Sequence, residues 1–358
     1  MSRLVDALPN MDFMMCMGIA ADVRVESSDL YHFQAMVSNT KKPIVFTSWN
    51  LTNLNDIYKM CIAVCGNEKI FKNKPFAAFY GMPTTPLKNT EDVCQQIMFC
   101  AEKGIPLIYS TGPLMGATSP VTIAGTIALS FAEFLSGLVL AQIKLPGAPV
   151  IVGCAPAPFD MQGMIDCHGS PELSIGYMVS KELINSYGLG DFTLAGATES
   201  KVVDMQAAAD YAWTLTMSCL SGQNLIHDVG YMEGGASSSF DLVVLGDEII
   251  SMARKLKNGF ELNNETLALD VIKDVGPNGT YLYSDHTLRN FKKEIWYPTL
   301  MNRQTYTAWF KEGATDLQER LREKVISILD EHKTEPLAEF ILKEIENIIS
   351  INLSRYKD

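Results

Sequence analysis

Residues 149–153 read Pro149-Val150-Ile151-Val152-Gly153, a short run of β-branched apolar residues between a proline and a glycine. Polar and apolar residues do not alternate in it, which is typical of a strand covered on both faces. The run Pro43-Ile44-Val45-Phe46 has the same character. Strands of this kind belong to parallel sheets flanked by helices, so these runs predict an α/β fold.

Similar runs recur along the chain, each followed by sequence with a helical period. They start roughly 30 to 40 residues apart, the length of a strand plus a crossover helix. Helix starts between them are recognisable, as in Ser170-Pro171-Glu172. Because the chain has no G-x-G-x-x-G or Walker A motif, the repeats predict a TIM (β/α)₈ barrel rather than a doubly wound sheet. The predicted strands are Asp12–Met17, Pro43–Ser48, Phe76–Tyr80, Pro106–Ser110, Pro149–Gly153, Phe192–Gly196 and Asn224–Asp228.

These strands leave one barrel position open, and we expect the eighth strand either at Leu242–Leu245 or before Met1. If a native N-terminal segment is missing, the barrel edge beside Asp12–Met17 should be unpaired. From Leu256 onward the pattern is helical, with the last helices near 316–331 and 337–353. We therefore expect a barrel over residues 1–255 and a C-terminal helical extension over 256–358, packed together as one structural unit.

Composition excludes several classes of protein. The net charge of −12 comes without a cluster of Lys and Arg, which argues against a general nucleic-acid binder. The longest apolar stretch, Val121–Ile143, is interrupted by Glu133 and other polar residues, so we predict a buried helix there and no membrane span. The eight cysteines form no CxxC pair, and we interpret them as free thiols of a cytoplasmic protein.

The carboxyl ends of the strands are where a TIM barrel places its working residues. Aromatic and small polar side chains dominate there. Faces of Trp and Tyr attract a desolvated ammonium group by about 0.5 to 2 kcal/mol each, although such residues also pack ordinary barrel rims. The strand-end candidates are Thr47, Ser48, Trp49, Asn50, Tyr80, Tyr109, Ser110, Thr111, Cys154, Thr198, Glu199, Ser200, Lys201, His227, Asp228, Tyr231 and Glu233.

His227-Asp228 is the best acid–base candidate by position. The alternative is a histidine that only satisfies a backbone carbonyl. His286 follows a Gly-Pro-Asn-Gly turn that could fold it over the barrel mouth, and its alternative is a surface histidine at a helix start. Glu199 and Lys201 also suit a salt-bridged loop. The histidine spacing predicts no three-ligand metal site.

Six segments, with a few single residues beside them, carry a resemblance to a known family. They are Gly116–Gly125 with Gly137–Gln142 and Pro146–Val150, Gly196–Lys201 with Asp204 and Gln206, Leu220–His227, and His286–Trp296 with Arg303 and Trp309. In order and over nearly the whole chain, they resemble the trimethylamine methyltransferase family, and most closely its members without pyrrolysine, which demethylate glycine betaine and other quaternary amines. Two features depart from the family: its members extend further at the N-terminus, and they commonly have Thr-Asp-Ser-Lys where this chain has Thr198-Glu199-Ser200-Lys201.

The resemblance implies transfer of a methyl group to the Co(I) corrinoid of a cognate partner protein, so that the chain itself holds no tightly bound cofactor. It implies His227 as the catalytic residue, orienting the substrate. The expected substrate-binding residues are Trp49, Tyr80, Tyr109, Thr198, Glu199, Lys201, Asp228, Tyr231 and His286. Two alternatives stay open: a family member with another methyl donor such as trimethylamine, and a non-catalytic protein that binds quaternary amines. A homo-oligomer is also compatible with the sequence.

Overall fold

A computed structural model describes residues 1–356 of the chain. Seven parallel strands lie side by side in the order in which they occur along the sequence. Each predicted strand is confirmed, and each pairs in parallel with the next. The strands are β1 (Met14–Met15), β2 (Ile44–Phe46), β3 (Ala77–Gly81), β4 (Leu107–Thr111), β5 (Val150–Cys154), β6 (Gly190–Leu194) and β7 (Leu225–His227).

Helices surround this sheet in the alternation that the sequence predicts, giving a TIM-like barrel. Those that follow or precede the barrel strands are α1 (Ser2–Ala7), α2 (Ser28–Val37), α3 (Leu51–Cys65), α4 (Glu68–Asn73), α5 (Glu91–Lys103), α6 (Ile123–Lys144), α7 (Pro171–Ser186), α8 (Met205–Leu220) and α9 (Phe240–Asn258). The C-terminal helices are α10 (Asn264–Leu267), α11 (Leu269–Val275), α12 (Asp285–Glu294), α13 (Tyr306–Lys311), α14 (Leu317–Glu331) and α15 (Glu339–Ser354).

Short elements complete the loops. Two 3₁₀ turns span Val25–Ser27 and Glu233–Gly235. Leu114–Met115, Ala157–Asp160 and Ile165–Asp166 form a small three-stranded sheet, and Tyr231–Met232 pairs with Ser237–Ser238. All of these strands lie in segments that follow the carboxyl ends of barrel strands, so they shape the mouth of the barrel.

The strand side chains divide into two apolar layers. The inner cluster, built on Val45, Ile108 and Phe192, fills the barrel interior, and Tyr80 packs against it. The outer cluster joins the strands to the helices and includes Tyr109. Because successive residues of a strand point to opposite faces, Ile108 and Tyr109 necessarily belong to different layers.

The barrel is open along one seam. Within residues 1–356, β1 pairs only with β2 and β7 only with β6. The prediction of a strand at Leu242–Leu245 is wrong, because these residues lie in the first half of α9. α9 lies between α8 and α14, and its neighbours bury all four of these consecutive residues. A helix buried in this way has the same continuous apolar sequence as a strand covered on both faces.

The apolar stretch at 121–143 forms α6, as predicted. By length and composition α6 is the one helix of the described chain that could cross a membrane. Here it is the crossover helix between β4 and β5, and it packs against both strands and against α5 and α7. Only 33% of its apolar window is buried, so the prediction of a buried helix holds in part and the barrel wall accounts for part of its apolar character.

The C-terminal helices return to the barrel. α14 packs against α9 and α1, and α15 packs against α3 and α2. Asn352 of α15 is fully buried: its amide donates to Asn53 Oδ1 (2.9 Å) and Asp56 Oδ2 (3.0 Å) and accepts from Ser27 Oγ (2.7 Å). This polar contact fixes α15 to the helices behind β2.

Candidate active site at the carboxyl ends of the strands

His227 is the last residue of β7, and its imidazole is held on two sides. Its Nδ1 lies 2.7 Å from Oδ1 of Asp228, and its side chain is 9% exposed. The ring stacks on Phe192 of β6 with centroids 4.1 Å apart and planes 10° apart. Asp228 has a backbone φ of 73°, the left-handed region, which brings its carboxylate back beside the preceding residue. The two side chains thus form one unit at the strand end.

Tyr80 of β3 faces the same unit from across the barrel. Its ring centroid lies 5.4 Å from that of Phe192 and 6.1 Å from that of His227. Burial raises the pKa of Tyr80, and the negative charge of Asp228 raises it further. The phenol is therefore neutral throughout the working pH range.

Asp228 is surrounded by further aromatic side chains. Burial, with the Asp228 charge as a second cause, raises the pKa of Tyr211 and Tyr231, and Asp228 also contributes to the raised pKa of Tyr177. The Tyr231 hydroxyl donates to the carbonyl oxygen of Cys16 (3.3 Å) and so joins the β7 end to the β1 end. The Asp228 side chain is 21% exposed, which leaves one side of the carboxylate accessible.

A second histidine, His168, lies in the loop between β5 and α7. Its Nε2 is 3.0 Å from Asp166 Oδ2, and its buried Nδ1 has no hydrogen-bond partner within residues 1–356. Burial alone would lower the pKa of His168, but the hydrogen bond and charge of Asp166, with the charges of Asp228 and Glu199, raise it above its usual value. Sequence analysis did not single out His168; the signal was an Asp-x-His triplet in a loop that follows a barrel strand.

Glu199 positions this loop. Its carboxylate accepts hydrogen bonds from the backbone amides of His168 and Gly169, the latter at 3.0 and 3.1 Å. A side chain at Gly169 would collide with Asp210 and Glu199, so the close approach requires glycine. The structure thus brings Glu199 to the mouth, where it holds His168 in place.

The remaining predicted residues are more scattered. Thr198 is buried and donates to Asp210 Oδ2 (2.6 Å), and Lys201 is exposed and donates to the Glu199 carbonyl (2.7 Å). Trp49 is 50% exposed at the end of β2, with its indole N–H donating to Ser28 Oγ (2.9 Å).

Two predicted residues are not brought to this cluster. Tyr109 points away from the barrel interior: it packs against Gly137 of α6 and donates to Asn89. His286 lies on α12 in the C-terminal region, where its Nε2 is 3.1 Å from the carbonyl oxygen of Glu265. Tyr109 points outward because side chains alternate along β4. His286 is absent from the cluster because it lies on a C-terminal helix.

A cavity of about 270 Å³ opens beside the cluster. It lies in the seam between β1 and β7, and His227, Asp228 and Tyr231 line one end. No group of three His, Cys, Asp or Glu side chains suited to a metal ion is found in residues 1–356.

The loops around the mouth expose apolar side chains. Successive loops after β1, β3, β4, β5 and β6 each contribute at least one to this surface, which we call the apolar rim: Ile19, Val25, Met82, Leu87, Val121, Met161, Met164, Val202 and Met205. Exposed apolar residues that gather into a contiguous patch are typical of protein-docking surfaces, which makes the apolar rim a candidate for one.

Comparisons with known proteins find relatives of this chain. The family model described as "Trimethylamine methyltransferase (MTTB)" matches residues 1–352. Trimethylamine methyltransferase MttB of Desulfitobacterium hafniense (strain DSM 10664 / DCB-2) is 30% identical over 355 residues, which cover 99% of this chain and 71% of the relative. The protein of that name from Methanosarcina thermophila is 31% identical, covering 96% and 72%. The glycine betaine methyltransferase of D. hafniense (strain Y51) is 31% identical over 315 residues, covering 87% and 65%.

Proposed function

This chain belongs to the trimethylamine methyltransferase family, and from that premise we propose that it moves a methyl group from a small quaternary amine, such as a betaine, to the Co(I) corrinoid of a cytoplasmic partner protein. One observation carries the proposal: the accessible carboxylate of Asp228 lies among the aromatic side chains of Tyr80, Tyr231 and His227 at the barrel mouth. Aromatic faces with one carboxylate suit a methylated ammonium ion.

The chemistry of such a substrate explains why few acid–base groups are needed. When a quaternary ammonium loses a methyl group, the amine that leaves is neutral, so no proton has to be supplied to it. The residues of the chain have to bind the cation, orient one methyl group outward and exclude water. Asp228 provides the opposite charge, and His227 holds its carboxylate in place through the Nδ1–Oδ1 contact.

The chain offers the corrinoid-carrying partner a surface to bind, the apolar rim. A corrinoid, when presented at the mouth, supplies the nucleophilic cobalt that accepts the methyl group. The apolar rim lies on loops that follow the strand ends, the side of the barrel from which a corrinoid would reach a substrate bound at Asp228. A protein that seats on the rim also covers the mouth, and it thereby removes water from the site.

Methylation of free cob(I)alamin tests the proposal. The purified chain is mixed with cob(I)alamin and, separately, with glycine betaine, choline, tetramethylammonium or trimethylamine, and the loss of the cob(I)alamin absorbance is followed. We expect turnover with at least one quaternary amine. Turnover with trimethylamine alone supports a different methyl donor, and saturable binding without any turnover supports a non-catalytic binding protein.

A further inference from the structure

The cavity in the seam is longer than the head group of a small amine requires. It is lined along β7 and its flanks from Gln223 to Val229, and from Met11 to Met17 on the β1 side. From Gln223 to His227, four residue steps of nearly extended chain span about 13 Å. The upper end is the His227–Asp228 unit, and the lower end is formed by Arg254 and Lys257 of α9. The cavity therefore connects the mouth of the barrel with its opposite end.

The middle of the cavity is apolar. Leu215 of α8 and Val243 and Ile250 of α9 form the wall behind the seam. At about 270 Å³ the cavity is close to the lower limit of the ~300 to 1,000 Å³ that pockets for small molecules occupy. A narrow apolar passage of this kind suits a hydrocarbon chain.

Gln223 supplies the second observation. Its side chain is only 7% exposed, and its Oε1 accepts from Thr193 Oγ1 (2.6 Å). Its Nε2 has no hydrogen-bond partner in the described chain, and the residue lines the cavity. Buried donors are almost always paired, so an orphaned one at a cavity wall marks a position for a water molecule or for an acceptor on a bound molecule.

The lower end also favours an anionic acceptor. Arg254 is held there by Asp12 Oδ2 (2.6 Å) and Asn10 Oδ1 (3.1 Å), and Lys257 lies one helical turn further along α9. With Asp12 included, two cations face one carboxylate at this end. His227 and Gln223 are four residues apart, about 13 Å along the strand. Glycine betaine is too short to bridge that distance.

We infer that the substrate is an extended quaternary amine: a trimethylammonium group at Asp228, a hydrocarbon chain along the seam, and a terminal carboxylate that accepts from Gln223 near Arg254 and Lys257. This inference rests on the proposed function and narrows its substrate class. It directs the methyl groups toward the mouth, where the apolar rim lies, and places the tail away from it.

Two series of ligands test the inference by calorimetry, without any corrinoid. One series is the butyl-, hexyl- and octyltrimethylammonium ions, and the other is the ω-trimethylammonio carboxylates of matching chain length. In wild type we expect the dissociation constant to fall about three- to fourfold for each added methylene, with the carboxylates binding more tightly than the alkyl ions.

Substitutions at two positions locate the hydrocarbon chain of the ligand. Ile250→Phe narrows the seam and should abolish the gain from longer chains, while Ile250→Ala should preserve it. Gln223→Glu keeps an acceptor for Thr193 but replaces the donor by a negative charge. It should weaken the carboxylates at least tenfold and leave the alkyl ions unchanged. Affinity that is independent of chain length in wild type, or a chain-length gain that Ile250→Phe leaves intact, would overturn the inference.

The same data separate this inference from the proposed function. If glycine betaine is turned over and the long-chain ligands do not bind, the inference of an extended substrate is contradicted and the proposed methyl transfer stands. If the long carboxylates bind tightly, Ile250→Phe weakens that binding and cob(I)alamin is not methylated, the proposed methyl transfer is contradicted and the extended binding site stands.

Discussion

At the scale of single residues, the contact between His227 and Asp228 depends on one backbone angle. The two residues are neighbours in sequence, and in a regular strand their side chains would point to opposite faces. The left-handed conformation of Asp228 ends the strand and places both groups on the same side. Position alone identified His227-Asp228 as a candidate, but the sequence did not show Phe192 beneath the imidazole, because stacking across strands depends on register.

Replacing the charge of Asp228 should weaken binding of a quaternary amine more than it weakens folding. Asp228→Asn keeps the size and the left-handed backbone, which Asn tolerates well. The loss of a partly desolvated opposite charge should raise the dissociation constant about ten- to a hundredfold. Calorimetry with tetramethylammonium measures this change, and unaltered affinity would show that the cation binds elsewhere.

His227→Ala should lower the rate of methyl transfer at least tenfold while lowering the free energy of unfolding by only about 1 to 2 kcal/mol, the cost of one stacked ring. The comparison is cob(I)alamin methylation beside urea denaturation. His286→Ala is the matched control, since the side chain of that histidine lies in the C-terminal region, where its Nε2 is within hydrogen-bond distance of the Glu265 carbonyl oxygen. A rate that falls only in proportion to stability would make His227 a structural residue.

His168 should make stability depend on pH. Because its pKa is raised in the folded protein, its contribution is fully present below the unfolded value of 6.5 and is lost as pH rises through the folded pKa. The pKa of Asp166 is lowered, chiefly by the hydrogen bond from His168, so its contribution is present above 3.8 and is lost as pH falls through its folded pKa. We expect the melting temperature to decline above about pH 6.5. His168→Gln should flatten that decline, and an identical profile in the variant would contradict the assignment.

At the scale of elements, the strands were predictable because each is a short covered run of apolar residues. Two elements show the limits of that pattern. Leu242–Leu245 has the composition of a strand but lies in α9, since neighbours on several sides bury four consecutive helical positions. Tyr109 was placed at the mouth by its position in the sequence, yet the alternation of β4 directs it to α6. Composition predicts burial, whereas the direction of a side chain requires the register.

The packing of α15 on the barrel should depend strongly on the side-chain amide of Asn352. Asn352→Leu removes three hydrogen bonds and leaves Asn53 and Asp56 buried with fewer partners. Each lost bond, with the unpaired groups left behind, costs about 1 to 3 kcal/mol, so we expect the free energy of unfolding to fall by at least about 3 kcal/mol in urea denaturation. Ser354→Ala, on the exposed end of the same helix, should change stability by less than about 0.5 kcal/mol. Equal effects of the two changes would argue against the buried network.

At the scale of the whole molecule, the seam distinguishes two strands from the others. β3, β4 and β5 have a neighbour on each side, while β1 and β7 have one each within the described chain. We expect amides of β1 and β7 to exchange hydrogen faster than those of β3, β4 and β5, because edge strands open at lower free energy. Hydrogen exchange followed by mass spectrometry measures this order. Uniform protection of all seven strands would show that the seam is closed in solution.

The seam could not be deduced from the sequence. Seven apolar runs are expected both for a barrel with one open position and for a barrel whose eighth strand lacks a recognisable pattern. The mouth was easier to predict, since parallel strands bring their carboxyl ends together. His168 entered the site through a long loop whose path no local pattern determines. The fold and the residues at strand ends can be predicted from the periodicity of the sequence. The positions of residues carried by long loops depend on tertiary packing.

The apolar helix α6 has a consequence during synthesis. Two of its packing partners, α5 and β4, precede it in the chain, and the other two, β5 and α7, follow it. Once α6 has left the ribosome, the nascent chain therefore exposes a 22-residue apolar helix while β5 and α7 are still in the exit tunnel or not yet synthesised. Such a surface attracts chaperones and other nascent chains. We expect slower translation at the stage when α6 is outside the ribosome and β5 and α7 are not to increase the aggregated fraction of the protein, and faster delivery of β5 and α7 to reduce it.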